Sequence, residues 1–461
     1  MNRVTNRTWL MAVFILVLVG GMAFFLTDYW YNAEVWIASP GSPHVYNSRN
    51  LGIGTVTDRS DTILLDIGTQ RKYAENEETR KSTLHWLGDR TGFINASAVS
   101  HYAGAMLGFD RINGIYDAQG VGGITELTLS ARVQNAALKA LDGRKGTIGV
   151  YNYQTGEILC AVTSPTFDPD HVPDIGADAD GKWEGVYLNR FIQSVYIPGS
   201  IYKVITTGAA LDCVEGVEEM IFSCTGLMEY GKGDNVAKVT CGKAHGKQTI
   251  KEALANSCNC AFAQVAELVG RKNMETYVKA FQVTEPVKFD GVSTARGNYN
   301  IEGAGAASFA WSCIGQHSNT INPARFMTFM GSIAGGGQAA SPYLVSRVTC
   351  GEEVTYQAET VLTDRIMSEE LADILKSYLR NNVKTIYGDG KFPSIRVCGK
   401  SGTSEVGGEE KSNALFSGFA LDERYPLAFI CVMENAGYGS TNCIPVLSKV
   451  LTECMYVMDA E

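Results

Sequence analysis

An apolar run opens the chain: Trp9 to Leu26, eighteen residues without a charge. As a helix it is about 27 Å long, close to the thickness of a hydrocarbon core. Arg3 and Arg7 precede it, whereas Asp28 and Glu34 follow. That asymmetry predicts an uncleaved single-pass membrane anchor (residues 1–31 with its short tail), amino terminus cytoplasmic and everything after it extracytoplasmic. Trp9 and Tyr29-Trp30-Tyr31 suit the two interfaces. A cleaved signal peptide is the alternative, but the run is long and no clear small-x-small site follows.

Residues 32–125 mix short apolar stretches with charges and show no extended linker. From residue 126 the patterning sharpens. Val133, Ala137 and Leu141 form one helical face, with Ser130 as cap and Gly143 as stop. GTIGVYNY and EILCAVTS, joined by a Gln-Thr-Gly turn, read as a hairpin. Helical stretches begin near Ser200 and at Thr249. SIRVCGKSGT, NALFSGFAL and PLAFICVME read as three more strands, and a last helix spans about Pro445 to Met458. This order predicts an α+β domain, an antiparallel sheet with helices on its faces.

Composition narrows the class. With 461 residues, 45% hydrophobic, the chain has material for two or three domains and is not disordered. A net charge of −10 without a basic patch argues against nucleic acid as a partner. Six scattered His without a His-Glu-x-x-His spacing give no sign of a catalytic zinc, so no metal is expected. Of twelve Cys, Cys160, Cys398 and Cys431 lie in strand-like runs and read as small buried hydrophobes. Cys224 and Cys241 flank a polar loop and leave a disulfide open. Cys258 and Cys260 are too close in sequence for an ordinary bridge and should pack.

Three short motifs carry candidate chemistry. Ser200-Ile201-Tyr202-Lys203 follows Pro198-Gly199 at a helix start. A Lys one turn from a Ser can take its proton once burial keeps the amine neutral. A capping Ser and a surface Lys is the bland alternative. Ser257-Cys258-Asn259 offers a hydroxyl to relay a proton and an amide to orient a substrate; alone it is weak, because Ser48-Arg49-Asn50 and Ser440-Thr441-Asn442 share the pattern. Lys400-Ser401-Gly402-Thr403 closes a strand-like run. There Ser401 and Thr403 hydroxyls with the Lys400 charge suit a carboxylate, and Gly402 admits a ligand backbone. The order Ser-x-x-Lys, Ser-x-Asn, Lys-[Ser/Thr]-Gly, at gaps of 57 and 143 residues, is what makes coincidence a poor explanation.

On these motifs the chain resembles the class B penicillin-binding proteins, membrane-anchored peptidoglycan D,D-transpeptidases of the short monofunctional type. The likeness covers about residues 126–461, including LTLSARVQNAALKAL, LNRFIQSVYIPGSIYKVITTGAAL and HGKQTIKEALANSCNCAF. It is weaker over 32–125, which would be a non-catalytic pedestal. There Arg49, Gly54, Val56, Asp58 and Arg59 fit the family's entry motif, while Ile53 stands where Arg is usual. Ser401 replaces the commoner Thr, and His317 stands where a Gly is usual.

The resemblance implies a penicillin-binding protein and serine β-lactamase-like fold, and roles for matching residues. Ser200 would acylate on a D-alanyl-D-alanine stem peptide with Lys203 as base. Ser257 would pass a proton to the leaving D-alanine, and Asn259 would hold the substrate amide. Lys400 would supply positive potential, with Ser401, Gly402 and Thr403 binding substrate and the Ser200 and Thr403 N–H groups forming the oxyanion hole. β-Lactams would trap Ser200, no cofactor is needed, and a membrane glycosyltransferase of the shape, elongation, division and sporulation family is the expected partner. Two rivals remain: a D,D-carboxypeptidase or β-lactamase-type hydrolase, and an inactive scaffold of a cell-wall synthesis complex.

Overall fold

The computed structural model describes residues 2–37, 39, 46–47, 50–67, 71–112, 114, 122–231, 236–405 and 411–460. Arg49 and Ser48 fall outside them. The first element is a helix, Asn2–Ile37, whose most apolar 18-residue stretch, inside Arg7–Ala33, is exposed along its length. It is longer than the run from Trp9 to Leu26, because Tyr29, Trp30, Ala33 and Trp36 continue the helix past the charge at Asp28. Its far end meets the rest of the protein, where the Tyr29 hydroxyl donates to the Arg111 carbonyl at 2.8 Å.

A six-stranded mixed sheet follows. Its strand order is Glu353–Gln357, Val345–Cys350, Ile124–Leu127, Thr55–Thr57, Ile63–Asp66, Lys72–Tyr73. Only the pairing of Thr55–Thr57 with Ile124–Leu127 is parallel. Two of these strands come from far along the chain, so the amino-terminal sheet is completed by residues beyond 340. Asp58 ties it to the following helix: its carboxylate accepts from the backbone N–H groups of Ser60 and Thr62, at 2.9 and 2.8 Å, and of Ala131 at 2.9 Å.

The second sheet has five strands, all antiparallel, in the order Val397–Ser404, Asn413–Ala420, Leu427–Met433, Gly146–Asn152, Ile158–Ser164. Its hairpin and its three late strands are those the apolar runs predict. Helices cover both faces, which is why strands of an antiparallel sheet are apolar throughout rather than alternating with polar residues. Along Leu427–Met433 the side chains still sort with period two. Leu427, Phe429, Cys431 and Met433 pack with Ala131–Leu141 and the last helix; Ala428, Ile430 and Val432 join the core around Phe326 and Phe329. Burying Phe429 contributes about 1.5–3 kcal/mol.

Local signals set the helix ends. The Ser130 hydroxyl accepts from Val133 N at 3.4 Å, and Asp142 closes that helix with φ +51°. Thr249 and Glu252 form a capping box for Ile250–Ala255. The last helix runs Gly439–Ala460 and places Pro445 inside it, six residues after its start rather than at its first turn. Lying past the first turn, Pro445 leaves this helix one intrahelical N–H short. Cys160, Cys398 and Cys431 are fully buried, as are Cys258 and Cys260, and all twelve thiols are free.

Candidate active site

Ser200 lies in a 3₁₀ turn, Gly199–Tyr202, that runs directly into the helix Lys203–Cys213. Three residues per turn eclipse positions i and i+3, which brings Lys203 onto the Ser200 hydroxyl. The two are 3.0 Å apart, Nζ to Oγ. The turn needs Gly199, with φ +54°: a Cβ there would stand 2.4 Å from the Thr403 carbonyl oxygen. A Cβ at Gly402 would likewise meet the Pro198 oxygen at 2.7 Å. The space Gly402 leaves therefore seats the loop before Ser200, where the sequence suggested room for a ligand backbone.

Ser257 ends the short helix Ile250–Ala255 in a left-handed conformation, φ +55°, and Asn259 begins the next helix behind Cys258 as its cap. This abrupt reversal turns both side chains onto Lys203. Its Nζ donates to the Ser257 carbonyl at 2.8 Å and to Asn259 Oδ1 at 2.7 Å, with Ser257 Oγ 3.2 Å away. The Asn259 amide is oriented in turn by donating to the Thr240 carbonyl at 2.8 Å.

Lys400, Ser401, Gly402 and Thr403 occupy the end of the sheet's edge strand, paired on one side with Ser417 to Ala414. Lys400 Nζ donates to Ser257 Oγ at 3.0 Å and to the Ser401 carbonyl at 2.9 Å. Sequence reasoning missed Tyr387, whose hydroxyl accepts from Ser401 N at 3.0 Å and lies 2.9 Å from Ser401 Oγ. Nothing local marks Tyr387; it reaches the strand from the end of an irregular helical turn, Val383–Tyr387.

The eight expected residues thus converge on one place. Ser200, Ser257, Asn259, Ser401 and Thr403 line a cleft of about 380 Å³, with Tyr438 on its wall. Ser440, of a second Ser-x-Asn match, lines the cleft too, but Asn442 turns away to bond the Ala436 and Tyr438 carbonyls. Lys203 and Lys400 are fully buried beneath it. Burial pushes both amines down, because a desolvated ammonium is costly. Lys400 falls to about 7. Lys203 falls well below the usual lysine range, by burial first and then by the neighbouring Lys400 charge.

One grouping was not expected. Cys224, Cys241, His245 and Cys258 bring their ligand atoms within 4.8 Å of one another at the edge of this cleft.

Residues 146–452 match the family described as the penicillin binding protein transpeptidase domain. The chain is 27% identical over 338 residues to the peptidoglycan D,D-transpeptidase PbpA of Mycobacterium tuberculosis, covering 68% of each chain. The D,D-transpeptidase domain of a peptidoglycan glycosyltransferase from Eggerthella lenta superposes with a TM-score of 0.75 at 23% identity, over 90% of this chain and all of that one. The ceftriaxone acyl-enzyme of M. tuberculosis penicillin-binding protein A does so at 0.72 and 22%, over 87% and 97%. The chain belongs to the penicillin-binding protein transpeptidase family, and its fold is that of these enzymes.

Proposed function

We propose that this serine D,D-transpeptidase cross-links peptidoglycan stem peptides through an acyl-enzyme on Ser200. The observation that carries the assignment of roles is the environment of Lys203. Its two shortest contacts are to pure acceptors, the Ser257 carbonyl and Asn259 Oδ1. A neutral amine has two N–H donors; with both so engaged, its single lone pair is left for the Ser200 hydroxyl, the nearer of the two serine hydroxyls.

In the first half-reaction Ser200 Oγ attacks the carbonyl carbon of the penultimate D-alanine, and its proton passes to Lys203 Nζ. The backbone N–H groups of Ser200 and Thr403 receive the developing oxyanion. Ser257, hydrogen-bonded to both lysines, relays the proton to the nitrogen of the terminal D-alanine as the C–N bond breaks. D-Alanine leaves and an ester remains on Ser200. In the second half, an acceptor amine attacks that ester and gives up a proton along the same route. A new amide forms and the Ser200 hydroxyl is restored. Asn259 orients the stem-peptide amide, Ser401 and Thr403 hold the terminal carboxylate at the strand edge, and Lys400 supplies positive potential from beneath. β-Lactams present the same acyl group and carboxylate, and they acylate Ser200.

The span Arg7–Ala33 contains an 18-residue window with a mean hydropathy of 2.6 and is about 40 Å long, enough to cross a bilayer with tilt. The exposure of that window around its whole circumference supports an anchor, with Arg3 and Arg7 on the cytoplasmic side and the catalytic domain outside. On that reading residues 32–125 form a pedestal lifting the domain from the membrane, and a membrane glycosyltransferase supplies the strands to be joined.

The test uses the full chain in detergent with a D-alanyl-D-alanine stem peptide and an excess of acceptor amine. Release of D-alanine together with a new amide to the acceptor is expected. Release with only the shortened peptide would favour a carboxypeptidase, and no turnover a scaffold.

A further inference from the structure

We infer that Cys224, Cys241, His245 and Cys258 hold one zinc ion per chain, which clasps the Ser257–Asn259 turn to the loop in front of it. Four elements supply the ligands. Cys224 ends the strand Phe222–Cys224, and His245 directly precedes its partner Gly246–Gln248, in which Gly246 pairs with Cys224. Cys241 directly follows the strand Ala237–Thr240. Cys258 caps the helix Asn259–Val269, where its Sγ accepts from Ala261 N at 3.4 Å.

Three of the six ligand spacings match the edges of a tetrahedron around a metal, and all six lie within 4.8 Å. Zinc binds Cys sulfur at about 2.3 Å and His nitrogen at about 2.0 Å, so tetrahedral edges are about 3.8 Å between sulfurs and about 3.5 Å between sulfur and nitrogen. Here Cys241 Sγ and Cys258 Sγ are 3.9 Å apart, and His245 Nδ1 lies 3.3 Å from Cys241 Sγ and 3.6 Å from Cys224 Sγ. A disulfide needs sulfurs about 2.05 Å apart, and all these thiols are free. Three thiolates and one imidazole, with Cys224 and Cys258 buried, form a closed structural set rather than a catalytic site with an open position. Soft sulfur ligands in tetrahedral array select zinc over magnesium or calcium. Cys260, two residues on, is not of the group; its Sγ points toward the Val239 carbonyl, 3.9 Å away.

What the ion would do follows from position. Cys258 stands between Ser257 and Asn259, and Asn259 is further pinned to Thr240, the neighbour of Cys241. Ser257 carries a left-handed backbone that a non-glycine residue resists. A fixed metal at Cys258 holds that turn against Lys203 and keeps three thiols of an exported domain out of disulfides. This second part rests on the assignment of Ser257 and Asn259 made above; binding itself does not.

The test is metal analysis of the full-length protein purified without chelators or added metal. About one zinc per chain is expected in the wild type and in Cys260→Ser, and less than one tenth in Cys224→Ser and His245→Ala. Cobalt added to chelator-stripped wild-type protein should give the intense visible bands of tetrahedral thiolate coordination, which does not depend on any variant folding. Absence of both zinc and the cobalt spectrum from folded wild-type protein overturns the site, as does full zinc in the two ligand variants. For the clasp, stripping should slow β-lactam acylation by 10-fold or more and zinc should restore it. An unchanged rate in zinc-free protein would overturn the clasp and leave the binding site standing.

Discussion

Lys203 and Lys400 reach the same hydroxyl, with Nζ atoms 3.2 and 3.0 Å from Ser257 Oγ. Two ammonium groups cannot share a buried hydroxyl cheaply, so the pair is stable with one proton fewer than two ordinary lysines would carry. The assignment of base and anchor comes from which of them lacks it. Lys203, which also touches Ser200, is pushed down further by the Lys400 charge, whereas Lys400 is lowered by burial alone.

That division sets a pH profile. Below the depressed pKa of Lys203 the amine is protonated and cannot take the Ser200 proton, so acylation falls on the acid side. Above about 7, Lys400 loses its charge and with it the attraction for the substrate carboxylate, so acylation falls again. The second-order rate of acylation by benzylpenicillin should therefore be bell-shaped. Lys400→Arg, which stays charged, should lower the maximum but remove the alkaline limb. An alkaline limb unchanged in that variant would assign it to another group.

Gly199 is required by contact rather than by chemistry. Gly199→Ala drives a Cβ into the Thr403 carbonyl, 2.4 Å away, at a backbone angle that an L side chain resists. Separating Ser200 from the strand edge by even an ångström should lower the acylation rate by about 100-fold. Stopped-flow acylation of the variant, with circular dichroism to verify folding, measures this.

Tyr387→Phe leaves Ser401 N without its acceptor and Ser401 Oγ without its partner. Ser401 is half-buried, so losing these bonds costs about 0.5–1.5 kcal/mol each. The strand end should loosen, and the loss should show mainly in the concentration of β-lactam needed for half-maximal acylation rate. A variant with an unchanged concentration dependence would remove Tyr387 from the positioning of Ser401.

Asp58 offers the opposite case, stability without chemistry. Asp58→Ala strips three backbone N–H groups of their acceptor, including Ala131 at the start of the helix that packs on the catalytic sheet. Thermal unfolding should shift down by several degrees, while acylation per folded molecule stays within about twofold.

Much of this was legible because each motif is local. Ser200 and Lys203 are three residues apart, Ser257 and Asn259 two, and the strand end is four consecutive residues; their contexts follow from Pro-Gly, a helical stretch from Thr249 and an apolar run. What could not be read is what the fold assembles from afar. Tyr387 meets Ser401 from a separate helical turn. Strands Val345–Cys350 and Glu353–Gln357 complete a sheet begun near Thr55. The last helix, expected from about Pro445, begins at Gly439 and carries the proline in its interior. The four ligands converge from intervals of 17, 4 and 13 residues, which match no short metal motif.

The most direct test of the central claim is the intact mass of the protein after benzylpenicillin, followed over hours, with the adduct mapped by peptide mass. One long-lived adduct on Ser200, absent from a folded Ser200→Ala variant, is the predicted result. An adduct on another residue, or one that forms in Ser200→Ala at the same rate, would contradict the assignment of Ser200 as nucleophile.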